Sequence, residues 1–386
     1  MFGASQTFDI LIIGAGPAGA AAAITACRAG LSAALIDKAA FPRAKLCGGL
    51  VTGRAQKQYR EIFDGDLDPA LFQPHGEVAF HADGAQLGPI AQTPTLHLTM
   101  RWDMDAHLLG LALASGAADF TGRRIAHINT ETPSVTLEDG TLLTARILIG
   151  ADGVNSAVAR ALFGRAFDPE RIGFAMEIEA PPAPASDTIR IDFDAASWGY
   201  GWRFPKAGGT TIGVGGLHLL NPDMKARLAG YRAALDVDAT CPVKGHFLPF
   251  GDYKRAPGRG RVLLAGDAAG LVDPITGEGI AHALHSGAAA AVAAAEAIAC
   301  GRPDTALRRY RRALRPLHRD LRMAVWLRTL IFGPRLKPLF RRAFARSSVV
   351  KDAYLRLLAG QIEYPGLCLL VLSRLPRAAL RHIRLR

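Results

Sequence analysis

The sequence predicts an α/β fold, because three clusters of glycine and aspartate each follow an apolar run of strand length. The clusters are Gly14-Ala15-Gly16-Pro17-Ala18-Gly19, Gly150-Ala151-Asp152-Gly153 and Gly266-Asp267-Ala268-Ala269-Gly270. Ligands of open α/β sheets bind at the ends of the strands. We therefore expect all three clusters at one edge of one sheet.

The first cluster lies between a predicted strand at residues 8–13 and a predicted helix at residues 20–28. Gly14 allows a tight turn, Gly16 lets backbone amides approach a pyrophosphate, and Gly19 lets the helix pack close to the strand. Phosphates then lie at the helix N-terminus, where unpaired N–H groups favour negative charge. This arrangement predicts a Rossmann-like dinucleotide site.

The residues after the later strands extend this site. Residues 31–36 form a predicted strand that ends at Asp37, whose carboxylate is expected to accept the adenosine ribose hydroxyls and to disfavour NADP. Asp267 follows a third such strand, where its carboxylate can accept the ribityl hydroxyls of a flavin. Residues 273–280 then open an alanine-rich helix, whose N-terminal amides favour an anionic reduced flavin. Together the clusters predict one FAD site.

Three further features complete the predicted elements. Residues 123–149 contain three short alternating runs, which predict an antiparallel meander. Residues 285–300 predict an alanine-rich helix, and the chain beyond is helical and broken by Pro316, Pro334 and Pro338.

The predicted regions follow from this order of elements. A discontinuous FAD-binding domain, an inserted mainly antiparallel β-sheet domain for the substrate, and a basic helical C-terminal region are expected. Their predicted limits are 1–74, 101–164 and 256–300 for the first, 75–100 and 165–255 for the second, and 301–386 for the third.

Charge is concentrated in the C-terminal region. The 386 residues carry a net charge of +12, and residues 301–386 contain 21 Lys and Arg against 4 Asp and Glu. Arginines alternate there with apolar residues such as Trp326, Leu330 and Phe332. This pattern predicts peripheral contact with an anionic membrane, with these apolar side chains in the lipid, or else a solvated basic face. No recognised nucleic-acid motif accompanies the charge.

The compartment is predicted from cysteine and apolar content. Five scattered cysteines without CxxC spacing predict a reducing cytoplasm and no structural zinc. No apolar run reaches the ~20 residues of a membrane-spanning helix. We expect a cytoplasmic protein, peripheral on the inner face of the membrane, without a metal site.

Two segments between the clusters carry distinctive motifs. Residues 41–49 read FPRAKLCGG, and residues 199–205 read GYGWRFP, with GVG at 213–215. With the three clusters, these segments resemble the geranylgeranyl reductase family of FAD-dependent oxidoreductases, which has the para-hydroxybenzoate hydroxylase fold. The resemblance covers roughly residues 8–300.

The resemblance implies a role for each segment. It places Cys47 near the flavin as a proton donor or redox partner, although a small buried hydrophobe would look the same. Tyr200 is the second candidate acid. The predicted substrate-binding residues are Tyr200, Trp202, Phe204, Pro205, Gly213 and Gly215. The three aromatic residues share one face of a strand, although an aromatic stripe in a hydrophobic core would show the same spacing.

The predicted cofactor-binding residues come from the clusters and from the first of these segments. They are Gly14, Gly16, Pro17, Ala18, Gly19, Asp37, Lys38, Arg43, Lys45, Cys47, Gly48, Gly49, Arg101, Asp152, Gly153, Gly266, Asp267, Pro274, Gly277, Gly279 and Ile280.

The activity implied by the resemblance is reduction of carbon–carbon double bonds in an isoprenoid lipid. Hydride would come from reduced FAD, the proton from a protein acid, and the electrons from NAD(P)H or a ferredoxin-like donor. An FAD-dependent monooxygenase that hydroxylates or epoxidises an aromatic or lipid substrate would have the same fold and the same three clusters. A non-catalytic flavoprotein is the third alternative.

Overall fold

A computed structural model describes residues 5–374 except 89, 91–92, 183–186 and 238–239. The start of the predicted FAD-binding domain, residues 1–4, and the end of the predicted C-terminal region, residues 375–386, lie outside the described residues. The strands are β1 (Ser5–Ile13), β2 (Ala33–Asp37), β3 (Leu50–Val51), β4 (Gln73–His75), β5 (Val78–Ala82), β6 (Ala85–Gln86), β7 (Leu96–Leu98), β8 (Ala118–Thr121), β9 (Ile125–Asn129), β10 (Ser134–Leu137), β11 (Leu142–Gly150), β12 (Gly173–Ala180), β13 (Ile189–Asp192), β14 (Tyr200–Lys206), β15 (Gly209–Leu217), β16 (Lys244–Leu248), β17 (Gly258–Arg259) and β18 (Val262–Leu264).

The helices alternate with strands in the first half and follow one another at the end. They are α1 (Pro17–Arg28), α2 (Gly53–Phe63), α3 (Arg101–Ala114), α4 (Ala157–Phe163), α5 (Met224–Ala234), α6 (Ile280–Ala299), α7 (Ala306–Ala313), α8 (Arg315–Phe332), α9 (Lys337–Arg346), α10 (Ser348–Leu358) and α11 (Tyr364–Arg374).

The first sheet carries the three glycine clusters. Its strands run in the order β17-β18-β11-β1-β2-β8, and β9 and β10 form the expected antiparallel meander with β11. β1 is parallel to β11 and β2, and β11 is parallel to β18. Because β1, β11 and β18 are neighbours that point the same way, their carboxyl ends bring the clusters to one edge. The predicted α/β fold is confirmed.

Proline sets several helix boundaries. α1 begins at Pro17, three residues before the predicted start, because proline needs no hydrogen-bond acceptor in a first helical turn. Pro316 and Pro338 likewise stand in the first turns of α8 and α9, and Pro334 lies between these two helices.

The second sheet is mainly antiparallel, as predicted. Its order is β16-β12-β15-β14-β13-β5-β6, and the β13–β5 pair is parallel. The two β-rich pieces at residues 75–100 and 165–255 share this sheet only in part. β7 belongs to a small third sheet, between β3 and β4, although its fully buried Leu96 and Leu98 lie in the same apolar core as residues of the second sheet. The domain limits themselves stay a prediction.

The C-terminal helices belong to the core. Tyr310 on α7 is fully buried and donates to the carbonyl of Leu264 at 2.9 Å. Phe344 on α9 packs edge-to-face on Phe80 of β5, with ring centroids 5.1 Å apart. Phe332, expected in the lipid, is wrongly predicted: it is 4% exposed and lies in this same core. Among the described helices, none is long and apolar enough to span a bilayer.

Candidate functional site

A cavity of about 680 Å³ lies between the glycine-bearing edge of the first sheet and one face of the second. One side of it, the FAD wall, consists of glycine-rich turns and helix N-termini. The other side, the sheet wall, consists of side chains and backbone of β12, β14, β15 and β16. All but four of the predicted site residues line this one cavity.

The four others lie behind the lining. Gly213 lies under the Trp202 ring, since a Cβ on it would be 2.2 Å from Trp202 Cζ2. Pro205 alternates with the aromatic residues of β14 and so belongs to the opposite face of the strand. Pro274 packs on the backbone beside α8, and Gly19 lies inside the first turn of α1. These residues shape the cavity walls.

The N-terminus of α1 forms the phosphate end of the FAD wall. Gly16 is its N-cap, and no described side chain bonds to the first-turn N–H groups. A Cβ on Gly19 would lie 1.7 Å from the Gly14 oxygen, so the helix starts tightly against the turn. The Arg43 guanidinium lies over Gly16, 3.4 Å from where a Cβ would be. Free N–H groups beside a guanidinium fit a pyrophosphate.

The Asp37 carboxylate is held in place at the end of β2. Its Oδ2 accepts the Ala15 N–H at 3.0 Å, and its Oδ1 accepts the Ala39 N–H at 2.9 Å. Each carboxylate oxygen has a further lone pair. Asp37 can therefore still accept ribose hydroxyls, as the sequence predicts.

The Asp152 carboxylate holds the start of α4 at the edge of the cavity. Its Oδ1 accepts the Ser156 hydroxyl at 2.6 Å, and its Oδ2 accepts the Ala157 N–H at 2.6 Å. The carboxylate thus fastens the start of α4, although the residue lines the cavity. Asp152 supports the FAD wall mainly through this cap.

The N-terminus of α6 forms the flavin end of the FAD wall. Gly279 is its N-cap, and again no described side chain caps the helix. The loop before it is fastened from the sheet wall, since the Tyr200 hydroxyl donates to the Thr276 carbonyl at 2.6 Å. It is also fastened from α11, where the Tyr364 hydroxyl lies 2.7 Å from Asp273 Oδ2. The free N–H groups of α6 favour negative charge on a flavin.

Cationic side chains surround the flavin end. Arg101 forms two hydrogen bonds with Asp105, at 2.8 and 2.9 Å. Burial alone would lower the pKa of Arg101, but Asp105 raises it, so the guanidinium stays charged. Burial lowers the pKa of Lys45, and it lowers the pKa of His246 to about 4, which leaves this imidazole neutral at pH 7. The cavity suits an anionic cofactor.

The two walls meet at the Cys47 segment, which is residues 47–49. A Cβ on Gly48 would lie 2.6 Å from Phe204 Cε2 and 3.3 Å from Trp202 Nε1. Only glycine lets the backbone approach these rings so closely. Cys47 is therefore held between the FAD wall and the aromatic side chains of the sheet wall.

Sequence reasoning missed a polar cluster beneath this segment. The Cys47 N–H donates to Glu177 Oε1 at 2.9 Å, and burial raises the pKa of Glu177 to about 7. Beside it, Lys206 donates to the Thr211 hydroxyl at 2.6 Å, and that hydroxyl donates to Glu179 at 2.7 Å. Alternation along β12 would have put both glutamates on one face. Only the register of the sheet puts them next to Cys47.

Comparisons with known proteins agree with this geometry. A family model described as FAD dependent oxidoreductase matches residues 9–65. A menaquinone reductase of Mycolicibacterium smegmatis is 31% identical over 308 residues, which cover 73% of this chain and 75% of that protein. A geranylgeranyl diphosphate reductase of Rhodobacter capsulatus is 32% identical over 317 residues, 77% of each chain.

A solved structure has the same fold. The geranylgeranyl bacteriochlorophyll reductase-like protein of Thermoplasma acidophilum matches 99% of this chain and 100% of its own with a TM-score of 0.74, at 20% identity. The free helix N-termini and the cationic cavity fit FAD, as this family requires. Since both sequence relatives match more than two thirds of either chain, the prediction is confirmed, and the chain belongs to the geranylgeranyl reductase family of FAD-dependent oxidoreductases.

Proposed function

We propose that the protein reduces carbon–carbon double bonds of an isoprenoid lipid. The observation that carries this proposal is the packing of Gly48 against Trp202 and Phe204 within the cavity. Menaquinone and geranylgeranyl diphosphate, named for two relatives, differ in head group but share an isoprenoid chain. Burial of such a chain against aromatic side chains contributes ~0.8 kcal/mol per CH₂.

The chain's own residues must supply a proton to the substrate. Bound FAD, once reduced, supplies hydride. The Tyr200 hydroxyl is engaged with the Thr276 carbonyl, and burial raises its pKa, so its proton is held at the loop. The Cys47 thiol lines the cavity, where it accepts a weak bond from the Gly49 N–H at 3.4 Å and lies beside Arg101. We therefore assign the acid to Cys47 and loop positioning to Tyr200.

The electrons come from NAD(P)H or a ferredoxin-like protein. The glycine turn and Asp37 fit the adenosine end of FAD, so a nicotinamide would bind transiently outside this turn. Anaerobic mixing with each donor identifies the reductant as the one that bleaches the flavin absorbance.

The function is tested under anaerobic conditions. Reduced, FAD-loaded protein is incubated with geranylgeranyl diphosphate or with menaquinone in vesicles, and products are analysed by mass spectrometry. Reduction adds two hydrogens per double bond and needs no oxygen. Products that carry an added oxygen atom and form only in air would instead establish the monooxygenase alternative.

An exposed apolar surface provides the membrane contact. Trp326 is 74% exposed, Leu339 is 67% exposed and Leu330 is 42% exposed. The exposed Arg322 and Arg335 flank them. We call these five residues, which lie between the middle of α8 and the first turn of α9, the tip. Apolar side chains among arginines suit the interface of an anionic bilayer.

Helix α8 connects the tip to the cavity. Arg328 donates to the Phe250 carbonyl at 3.0 Å and lies over the Trp198 ring at 5.7 Å. Phe250 itself lines the cavity. We propose that a prenyl chain enters from the bilayer along α8, since passage through water would expose its apolar surface.

A further inference from the structure

A buried carboxyl group lies directly behind the proposed acid. Glu177 on β12 is 1% exposed, and its Oε1 accepts the Cys47 N–H at 2.9 Å. Cys47 lines the cavity, whereas Glu177 lies beneath it, on the sheet side. The Glu177 carboxyl group therefore contacts the backbone of the Cys47 segment.

The position of Glu177 follows from the register of three strands. Glu177 pairs with Gly213 on β15, and Gly213 pairs with Trp202 on β14. Because Gly213 has no side chain, the Trp202 ring extends across it, in the direction of Glu177. Trp202 and Glu177 thus lie on the same side of the sheet, under the Cys47 segment.

Two buried polar atoms stand unpaired at this place. Within the described part of the chain, Glu177 Oε2 and Trp202 Nε1 have no hydrogen-bond partner. A buried polar atom without a partner costs ~1–3 kcal/mol. If the only role of residue 177 were to accept the Cys47 N–H, a neutral amide side chain could accept the same bond. A carboxyl group at this buried position therefore needs another explanation.

We propose that Glu177 is a positioning residue for Cys47, which holds the Cys47 segment more strongly when its carboxyl is ionised than when it is protonated. A hydrogen bond to a carboxylate is shorter and roughly twice as strong as one to a neutral oxygen. The proposal rests on the proposed function only in making Cys47 a functional residue.

The surroundings of Glu177 set its charge. Burial raises its pKa to about 7, Glu179 acts in the same direction, and the lysines oppose both. The titratable and charged groups around it are Glu179 on β12, Lys206 on β14, Lys244 and His246 on β16, and Lys45 and Arg101 on the FAD wall. The carboxyl therefore changes charge near neutral pH, and its hold on Cys47 changes with it.

Amide hydrogen exchange measures this hold directly. The exchange rate of the Cys47 N–H is determined at residue resolution in full-length, FAD-loaded protein, from about pH 6 to about pH 8. Glu177→Gln keeps an acceptor oxygen but cannot ionise. The ratio of its rate to that of the unmodified protein cancels the intrinsic pH dependence of exchange. We expect this ratio to rise about fivefold across the interval, the difference between a neutral and a charge-assisted bond.

The matched control is Glu179→Gln, on the same strand face but bonded to Thr211. Its ratio should change much less with pH, because loss of Glu179 only lowers the pKa at which Glu177 ionises. A constant ratio for Glu177→Gln, or an equal rise for Glu179→Gln, overturns the proposal.

A second variant guards against loss of FAD in the first. Glu177→Asp keeps an ionisable group, so protection of its Cys47 N–H must still increase with pH, and protection that is independent of pH overturns the proposal. None of these measurements uses a prenyl substrate, so their failure is distinct from failure of the proposed function.

Discussion

The two walls of the cavity present different chemistry to what they bind. The FAD wall offers backbone N–H groups at the N-caps Gly16 and Gly279, where no described side chain intervenes. The sheet wall offers side chains at alternate positions of its strands, such as Tyr200, Trp202 and Phe204. Recognition by backbone N–H groups requires small residues, which let the ligand approach the backbone closely. Side-chain recognition requires particular residues in a particular register.

Because of this difference, one wall explains which cofactor binds and the other wall bears on which reaction takes place. The FAD wall accounts for a dinucleotide, which is common to the whole fold. On the proposed function, the sheet wall is the part that would distinguish an apolar chain from other substrates. The walls touch at Gly48, against Phe204, so a change on one side can be tested for its effect on the other.

The largest effect is expected on the FAD wall. In Gly19→Val the side chain would overlap the Gly14 carbonyl, 1.7 Å from a Cβ. This overlap costs about 3 kcal/mol or more, which weakens FAD binding more than about a hundredfold. Gly110→Ala, on α3 with nothing within 4 Å, is the control. Flavin absorbance per protein molecule measures the outcome, and a fully yellow Gly19→Val protein would contradict the assignment.

The next effect separates chemistry from cofactor binding. Cys47→Ala should retain FAD, because the FAD wall offers backbone groups, but lose about 10²- to 10⁴-fold in substrate reduction, the range for a missing general acid. Single-turnover reoxidation of the flavin by a prenyl substrate measures this. Cys300→Ala, at an exposed position, should react as the unmodified protein does. Full activity in Cys47→Ala would show that another group donates the proton.

The FAD wall could be predicted from sequence because its determinants are local. A strand, a glycine turn and a helix follow one another within about 20 residues, so the pattern alone indicates the geometry. Asp152 shows where such a local pattern leaves a role open. Its carboxylate is taken up by Ser156 and the start of α4, and a helix cap and a ligand contact require the same kind of residue at the same place.

The sheet wall could be predicted only in part. The motif indicated Trp202 and Phe204, but Glu177 becomes visible only through its pairing with Gly213 on a distant strand. The C-terminal region shows the same limit. Trp326 and Phe332 lie on one helix, in similar basic and apolar surroundings, yet only contact with the second sheet decides that Phe332 is buried.

The pH dependence of stability tests the sheet wall without any substrate. Folding raises the pKa of Glu177 from 4.5 to about 7, so the folded protein binds its proton more tightly. For global unfolding, which brings Glu177 into water, stability from this group is complete below about pH 4.5 and is lost as pH rises through 7, by up to about 3 kcal/mol. Local opening of the Cys47 N–H leaves Glu177 buried and therefore has the opposite pH dependence.

Urea unfolding of the FAD-loaded protein at about pH 5 and about pH 8 measures this loss. Glu177→Gln should be less sensitive to this pH change than the unmodified protein. Glu179→Gln, at a half-buried carboxylate that accepts the Thr211 hydroxyl, should keep most of the sensitivity, because it removes only the part of the Glu177 pKa shift that Glu179 causes. If both variants lose it equally, the effect belongs to the pair of glutamates and not to Glu177.

The smallest effect concerns the tip. Deleting residues 301–386 would remove Tyr310 and Phe344 from the core, so single substitutions are the usable test. Arg335→Gln should weaken sedimentation with anionic vesicles about fivefold, since one surface cation contributes ~1 kcal/mol. Arg308→Gln changes an equally exposed arginine on α7, which packs against α6. If the tip is the docking surface, only Arg335→Gln weakens binding. Equal weakening by both variants would mean that the basic region as a whole binds the membrane, which would contradict the proposed entry of the substrate along α8.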